Sequence, residues 1–154
     1  MTDPVAFHVR GTPRPQGSLT SWRTAEGTRA RIAHAGGVPF LRWRARITTD
    51  AMLAMAAQQS FKGPVVLSLT FCMPRPGGMA GRRTRPQGTP DLDKLVRCVL
   101  DALTGVVYPD DALVVDLRAT KVWATELHPE GVTIEVAEIN GNPYPEPDNP
   151  YPGS

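Results

Sequence analysis

The chain has 154 residues, of which 41% are hydrophobic and 21% charged, a balance that excludes a disordered chain and leaves room for one core without disulfides or a structural metal. No apolar run approaches the ~20 residues of a membrane helix, and the opening MTDPVAFHVR lacks a charged-then-apolar leader, so a cytoplasmic protein is expected. The net charge of +2 hides an asymmetry: residues 1–90 carry thirteen Lys and Arg against three Asp and Glu, whereas residues 91–154 carry four against twelve.

In chain order, Val5, Phe7 and Val9 alternate with polar or small residues and predict a strand. Residues 11–17 (GTPRPQG) break it with prolines and glycines. Residues 18–39 hold Arg23, Arg29 and Arg31 among few apolar anchors and read as a basic loop or a ragged hairpin. Residues 40–59 predict a helix with Phe40, Trp43, Ile47, Ala51 and Ala54 on one stripe, widened by Leu41, Met52 and Met55. Arg42, Arg44 and Arg46 lie in its first turns, where the helix dipole disfavours cations and an external anion would explain them better.

Val65, Leu67, Leu69 and Phe71 share a face and make residues 65–72 the surest strand. Residues 74–90 (PRPGGMAGRRTRPQGTP) follow, a mobile basic loop expected to hold neither helix nor strand. From Asp91 to Leu103 the apolar residues Leu92, Leu95, Val96, Val99, Leu100 and Leu103 predict a second helix, started by Pro90-Asp91 and stopped by Gly105. Residues 106–111 step into a turn, and residues 113–123 and 132–136 predict two more strands. The proline-rich residues 140–154 are expected to be a disordered tail. The sum is a single α+β domain over residues 1–139, a mixed sheet with two main helices on one face. Cys72 and Cys98 have no metal or redox spacing and are expected to be reduced and buried.

Chemistry concentrates in the second half. Asp91 and Asp93 open the second helix, and Asp111 ends the Pro109-Asp110-Asp111 turn. Hard cations such as Mg²⁺ take oxygen ligands, and two or three aspartates near a phosphate suffice to hold one that polarises the phosphate and ionises a water. Taken singly, each has an ordinary explanation. Asp91 is a good N-cap, Asp93 suits the helix dipole, and Asp110 and Asp111 suit a turn. Arg97 stands four residues after Asp93, which makes either a surface ion pair or a fixed cation beside a transferring phosphoryl group. A return of the chain through residues 106–108 antiparallel to the helix would carry Asp111 back towards Asp93.

Longer patterns are more specific. Pro90-Asp91-Leu92-Asp93-Lys94-Leu95-Val96-Arg97, then Asp101-Ala102-Leu103-Thr104-Gly105-Val106-Val107-Tyr108, then Asp110-Asp111-Ala112-Leu113-Val114-Val115-Asp116, ending at Lys121, resemble the RusA-type Holliday-junction resolvases, endonucleases of phages and prophages. Residues 11–18 (GTPRPQGS) are similar to that family's N-terminal proline-rich loop. The resemblance implies a homodimer that nicks four-way junctions with Mg²⁺, for which Mn²⁺ can substitute. It puts the catalytic and metal-binding carboxylates on Asp91, Asp93 and Asp111, and the family's functional lysine on Arg97. Two departures are Lys94, where the family usually has Asn, and Leu113, where Gln is frequent. Branched DNA gives the basic half a partner, since phosphate contacts release counterions. The residues expected to bind it are Arg14, Gln16, Arg75, Arg82, Arg83, Arg85, Lys94 and Lys121, with Arg42, Arg44 and Arg46 as a second rail. A branched- or duplex-DNA-binding protein that does not cut is the alternative.

Overall fold

The structure, a computed structural model, describes residues 2–17, 19–23, 30–34, 37–141 and 143. Arg29, Ser18 and almost all of the proline-rich tail lie outside them. Six strands are present: β1 (Val5–Arg10), β2 (Leu19–Arg23), β3 (Ala30–His34), β4 (Val65–Met73), β5 (Val114–Trp123) and β6 (Gly131–Glu138). Two helices of substantial length, α1 (Gly37–Met55) and α3 (Leu92–Leu103), and a single turn, α2 (Gly78–Gly81), complete the chain with a 3-10 turn at Asp111–Leu113.

β1, β6, β4 and β5 form one mixed sheet in that order, antiparallel except for the parallel β4–β5 pair. Its inner face follows the period-two pattern of the sequence. Val5 and Val9 of β1, Val132, Ile134 and Val136 of β6, and Val65, Leu67, Leu69 and Phe71 of β4 are all buried in one cluster. Phe40, Trp43, Ile47, Ala51 and Met55 of α1 join it, as do Leu95, Val96, Val99 and Leu103 of α3. The α+β expectation therefore holds, with both long helices feeding one core.

Several local expectations are corrected. Of the two readings of residues 18–39, the hairpin is the one present, as β2–β3, but the segment also holds the start of α1, which begins three residues earlier than predicted and ends at Met55. Leu41 and Met52 do not widen the buried stripe; they are exposed, because they lie off the 3.6-residue register that Phe40, Trp43 and Ile47 set. The segment 74–90 does contain one helical turn. Gly81 and Pro86 within it are buried, Gly81 against the Pro76 carbonyl and the Arg75 side chain of the same segment.

The β4–α3–β5 unit positions the chemistry. β4 and β5 run parallel, so the connection must cross over and α3 must run back along the strands. Gly105 ends α3 with φ of 86°, a left-handed conformation that glycine adopts without strain. The amides of Val106 and Val107 then bond to Leu103 O at 3.1 and 2.9 Å. Tyr108 is fully buried, with its hydroxyl 3.3 Å from Leu100 O. Residues 105–108 thus fold tightly under the C-terminal end of α3 and do not run antiparallel to it.

Candidate functional site

The start of α3 is held by the far end of β5. Lys121 Nζ donates to Gly88 O at 2.8 Å and to Pro90 O at 2.9 Å. Trp123 Nε1 donates to Arg83 O at 2.7 Å, and Arg85 Nη1 to Thr120 Oγ1 at 2.8 Å. The Arg75 guanidinium lies 5.2 Å from the Trp123 ring centre while Nη1 donates to Gly81 O at 2.6 Å. These contacts strap the basic segment to β5. Arg75, Arg85 and Lys121, read from sequence as DNA contacts, each donate a hydrogen bond within the chain, while Arg75, Arg82, Arg83 and Arg85 all remain exposed.

Asp91 occupies the N-cap position with extended backbone, φ −68° and ψ 141°, yet its carboxylate makes no capping hydrogen bond. Its Oδ2 instead lies 3.3 Å from Lys94 Nζ. Asp93 and Arg97 are exposed one helical turn apart, and neither has an ion-pair or hydrogen-bond partner among the described residues. The ordinary explanations for Asp91 and for an Asp93–Arg97 pair are thus not what the fold uses. Asp110 does behave as a turn cap: its Oδ1 accepts from Ala112 N at 2.9 Å.

A cleft of about 540 Å³ opens beside Asp91. Prolines 13, 15, 74 and 76 and Trp123 wall it, and Arg14, Arg83, Lys94 and Lys121 bring positive charge to it. Stiff apolar walls and a cationic lining suit a sugar-phosphate chain. A second, shallower depression gathers Arg10, Arg14, Arg42 and Arg46. Arg46 is paired there with Asp50 at 3.3 Å, and Arg44, nearby on α1, stacks over Phe40. Sequence reasoning misses Arg10, because its strand neighbours give no hint of the α1 arginines beside it.

The proline-rich loop lies along α3. Gln16 N donates to Lys94 O at 3.0 Å, and Gln16 Nε2 donates to Asp101 Oδ2 at 2.6 Å. Gln16 is 9% exposed and its Oε1 has no partner. It is a strut between loop and helix. Asp101 is a second residue that sequence reasoning misses. Its spacing from Arg97 and Lys94, four and seven residues, is the available signal that it shares their face.

Asp111 lies at the other end of the unit. Asp93 and Leu103 are about 15 Å apart along the α3 axis. β5 then rises about 23 Å from Val114, beside the Asp111–Leu113 turn, to Lys121. Both measures separate Asp111 from the Lys121–Pro90–Asp91 junction. Partial desolvation pushes the Asp111 carboxyl up from its usual range, although the residue is exposed, and the neighbouring Asp110 and Asp101 carboxylates add to the rise. Among the described residues no group of three or more His, Cys, Asp or Glu side chains lies close enough to hold a metal ion. Asp91, Asp93 and Asp111 of one chain therefore do not fit a single shared cation.

No helix among the described residues is long and apolar enough to cross a membrane. The chain is similar to the uncharacterized protein YqaN of Bacillus subtilis (strain 168), with 26% identity over 149 residues covering 88% of this chain and 99% of that protein. The family model described as endodeoxyribonuclease RusA matches residues 7–137. That span contains the whole sheet but the first two residues of β1 and the last of β6, along with α1 and α3, and so the chain belongs to the RusA family of endodeoxyribonucleases.

Proposed function

We propose that this protein is a divalent-metal-dependent endonuclease that resolves four-way DNA junctions as a dimer. The observation that carries the reading is the exposed Asp93–Arg97 pair, free of internal partners among the described residues and one turn from the proline-walled cationic cleft. Asp91 and Asp93 at the start of α3, and separately Asp111 beyond its other end, are the carboxylates proposed to hold hard cations, Mg²⁺ with Mn²⁺ as substitute. Such a cation takes one or two carboxylates together with water and phosphate oxygens. The Arg97 guanidinium steadies negative charge on the phosphoryl group. Arg14, Arg82, Arg83 and Arg85 hold the DNA backbone, a contact that positions the substrate without reading sequence.

The test is cleavage of a labelled four-way junction in Mg²⁺ by the wild-type chain beside Asp93→Asn. Wild-type cutting lost in the variant supports the reading. Equal cutting by both, or by neither, overturns it. Junction affinity should also fall steeply with salt.

One observation favours a second reading, in which the chain binds branched DNA without cutting it. Lys94 occupies the Asp91 carboxylate at 3.3 Å, which opposes a cation there. Junction binding indifferent to Mg²⁺ and to Asp91→Asn, with no cleavage, would select it.

A further inference from the structure

We propose that the cleft beside Asp91 seats one unpaired nucleotide of a DNA strand, with its base against the proline and tryptophan walls and its phosphate among Arg14, Arg83 and Lys94. The inference deepens the reading above and rests on its branched-DNA substrate, which the cutting and the non-cutting alternatives share.

The lining answers to both halves of a nucleotide. Pro13, Pro15, Met73, Pro74, Pro76 and Trp123 give the cleft an apolar surface. A phosphodiester gains nothing from such walls, whereas the flat face of a base stacks on rings and packs on stiff apolar side chains. Arg14, Arg83, Lys94 and Lys121 stand in the same lining against a single carboxylate, Asp91. That excess of cations suits the phosphate attached to the base. The volume, about 540 Å³, falls within the roughly 300–1,000 Å³ of sites that enclose one small molecule. A duplex meets a protein through its convex backbone and the edges of its bases, so it has no base face to offer a cleft. An unpaired nucleotide has one.

The walls are fixed before anything binds. Trp123 Nε1 donates to Arg83 O at 2.7 Å, and the Arg75 guanidinium lies over the ring at 5.2 Å. Lys121 Nζ pins the Gly88 and Pro90 carbonyls at 2.8 and 2.9 Å. A platform already ordered loses little entropy when it is occupied. The side chains of Gln87 and Thr89 line the cleft on exposed residues and have no hydrogen-bond partner among the described residues. Each can both donate to and accept from a base edge.

The shallower depression on α1 differs. It has Arg10, Arg42 and Arg46 but no open platform, since its Trp43 is only 5% exposed. It suits backbone phosphates alone. Strand exchange interrupts stacking at a branch point, so a nucleotide leaves the stack there at least cost. Capture of that nucleotide sets the branch point at the start of α3, beside Asp91 and Asp93.

The test uses the full chain in EDTA, where no metal-dependent cutting intervenes. Two DNA duplexes differ at one position, where iodouracil is either an unpaired bulge or paired with adenine. The bulged duplex should bind at least about tenfold more tightly. Irradiation should attach its iodouracil to Trp123 or Met73, located by peptide mass spectrometry. Ala80→Phe adds a ring to the cleft from the exposed turn α2 and should bring the affinity ratio down to about one. Equal affinity of the wild type for the two duplexes, a ratio that survives Ala80→Phe, or cross-links outside the cleft each overturn the proposal, even where the protein cuts junctions. Displacement of the bulged duplex by micromolar thymidine monophosphate assigns the cleft to free nucleotides and overturns it as well. Preference and cross-link in a protein that never cuts uphold the cleft and remove only the nuclease reading. Binding of neither duplex nor of a four-way junction overturns both.

Discussion

The ammonium of Lys94 and the carboxylate of Asp91 lie 3.3 Å apart at the first turn of α3. Both side chains are about half exposed, so the pair contributes little to folding. Its effect is on the carboxylate: a cation approaching Asp91 must displace a charge already there. Lys94→Asn is therefore expected to raise Mn²⁺ affinity several-fold in a calorimetric titration. The unfolding free energy should stay within about 0.5 kcal/mol of wild type. Unchanged affinity would show that Asp91 is not a ligand.

Lys121 acts on the same junction from the other side. Its two hydrogen bonds to Gly88 O and Pro90 O tie the basic segment to β5. Lys121→Met keeps the aliphatic stem and removes both donors. We expect a loss of about 1–3 kcal/mol in urea unfolding and faster proteolytic nicking within residues 75–88. A variant as stable and as resistant as wild type would remove Lys121 from that role.

Gln16 bridges the proline-rich loop to Asp101 at 2.6 Å. Gln16→Glu puts a second carboxylate against the first in a nearly buried position. The expected cost is about 1–3 kcal/mol at pH 7, shrinking as the pH falls and the new carboxyl takes up a proton. A deficit that is the same at pH 5 and pH 7 would argue for lost packing instead.

Arg97 has no internal partner among the described residues, so its removal should leave the fold unchanged. Arg97→Ala is expected to lower the cleavage rate by a factor of about 100 while junction affinity changes little, and Arg97→Lys should restore part of the rate. A drop in affinity with an unchanged rate would make Arg97 a binding residue only.

Burial pushes the Cys98 thiol up to about 12, an effect that the nearby Arg44 moderates and Asp101 augments. Cys72 and Tyr108 are also raised, chiefly by burial. Above about pH 9 these groups begin to ionise in the unfolded chain while they stay protonated in the fold. The unfolded state then binds fewer protons, so stability falls as pH rises towards 12. Neither thiol should react with an alkylating reagent at pH 7 until denaturant is added. Rapid native labelling of Cys98 would contradict its placement.

Most of the fold is legible in the amino-acid sequence because the signals are local. Alternation in residues 65–72 and 132–136 marks strands, and the 3.6-residue stripe of α3 together with Gly105 marks a helix and its end. The β2–β3 hairpin is ambiguous at that level, since residues 18–39 carry few apolar residues to give a period. α2 is invisible there, because proline and glycine content says what a segment disfavours and not what surrounding strands can stabilise. The family resemblance is equally local, carried by residues 90–121.

Which residues meet across the chain is a different matter. Spacing alone allows Asp111 to return towards Asp93. The parallel pairing of β4 with β5 forbids it, since a crossover helix must start at one end of the strands and finish at the other. In the same way, sequence groups Gln16, Arg75 and Lys121 as DNA contacts, while the tertiary structure gives each a partner within the chain, a carboxylate for Gln16 and carbonyls for Arg75 and Lys121. Local periodicity specifies the elements because each reports its own burial. Convergence of charged side chains depends on strand order and direction, and these are set by the collective packing of the sheet.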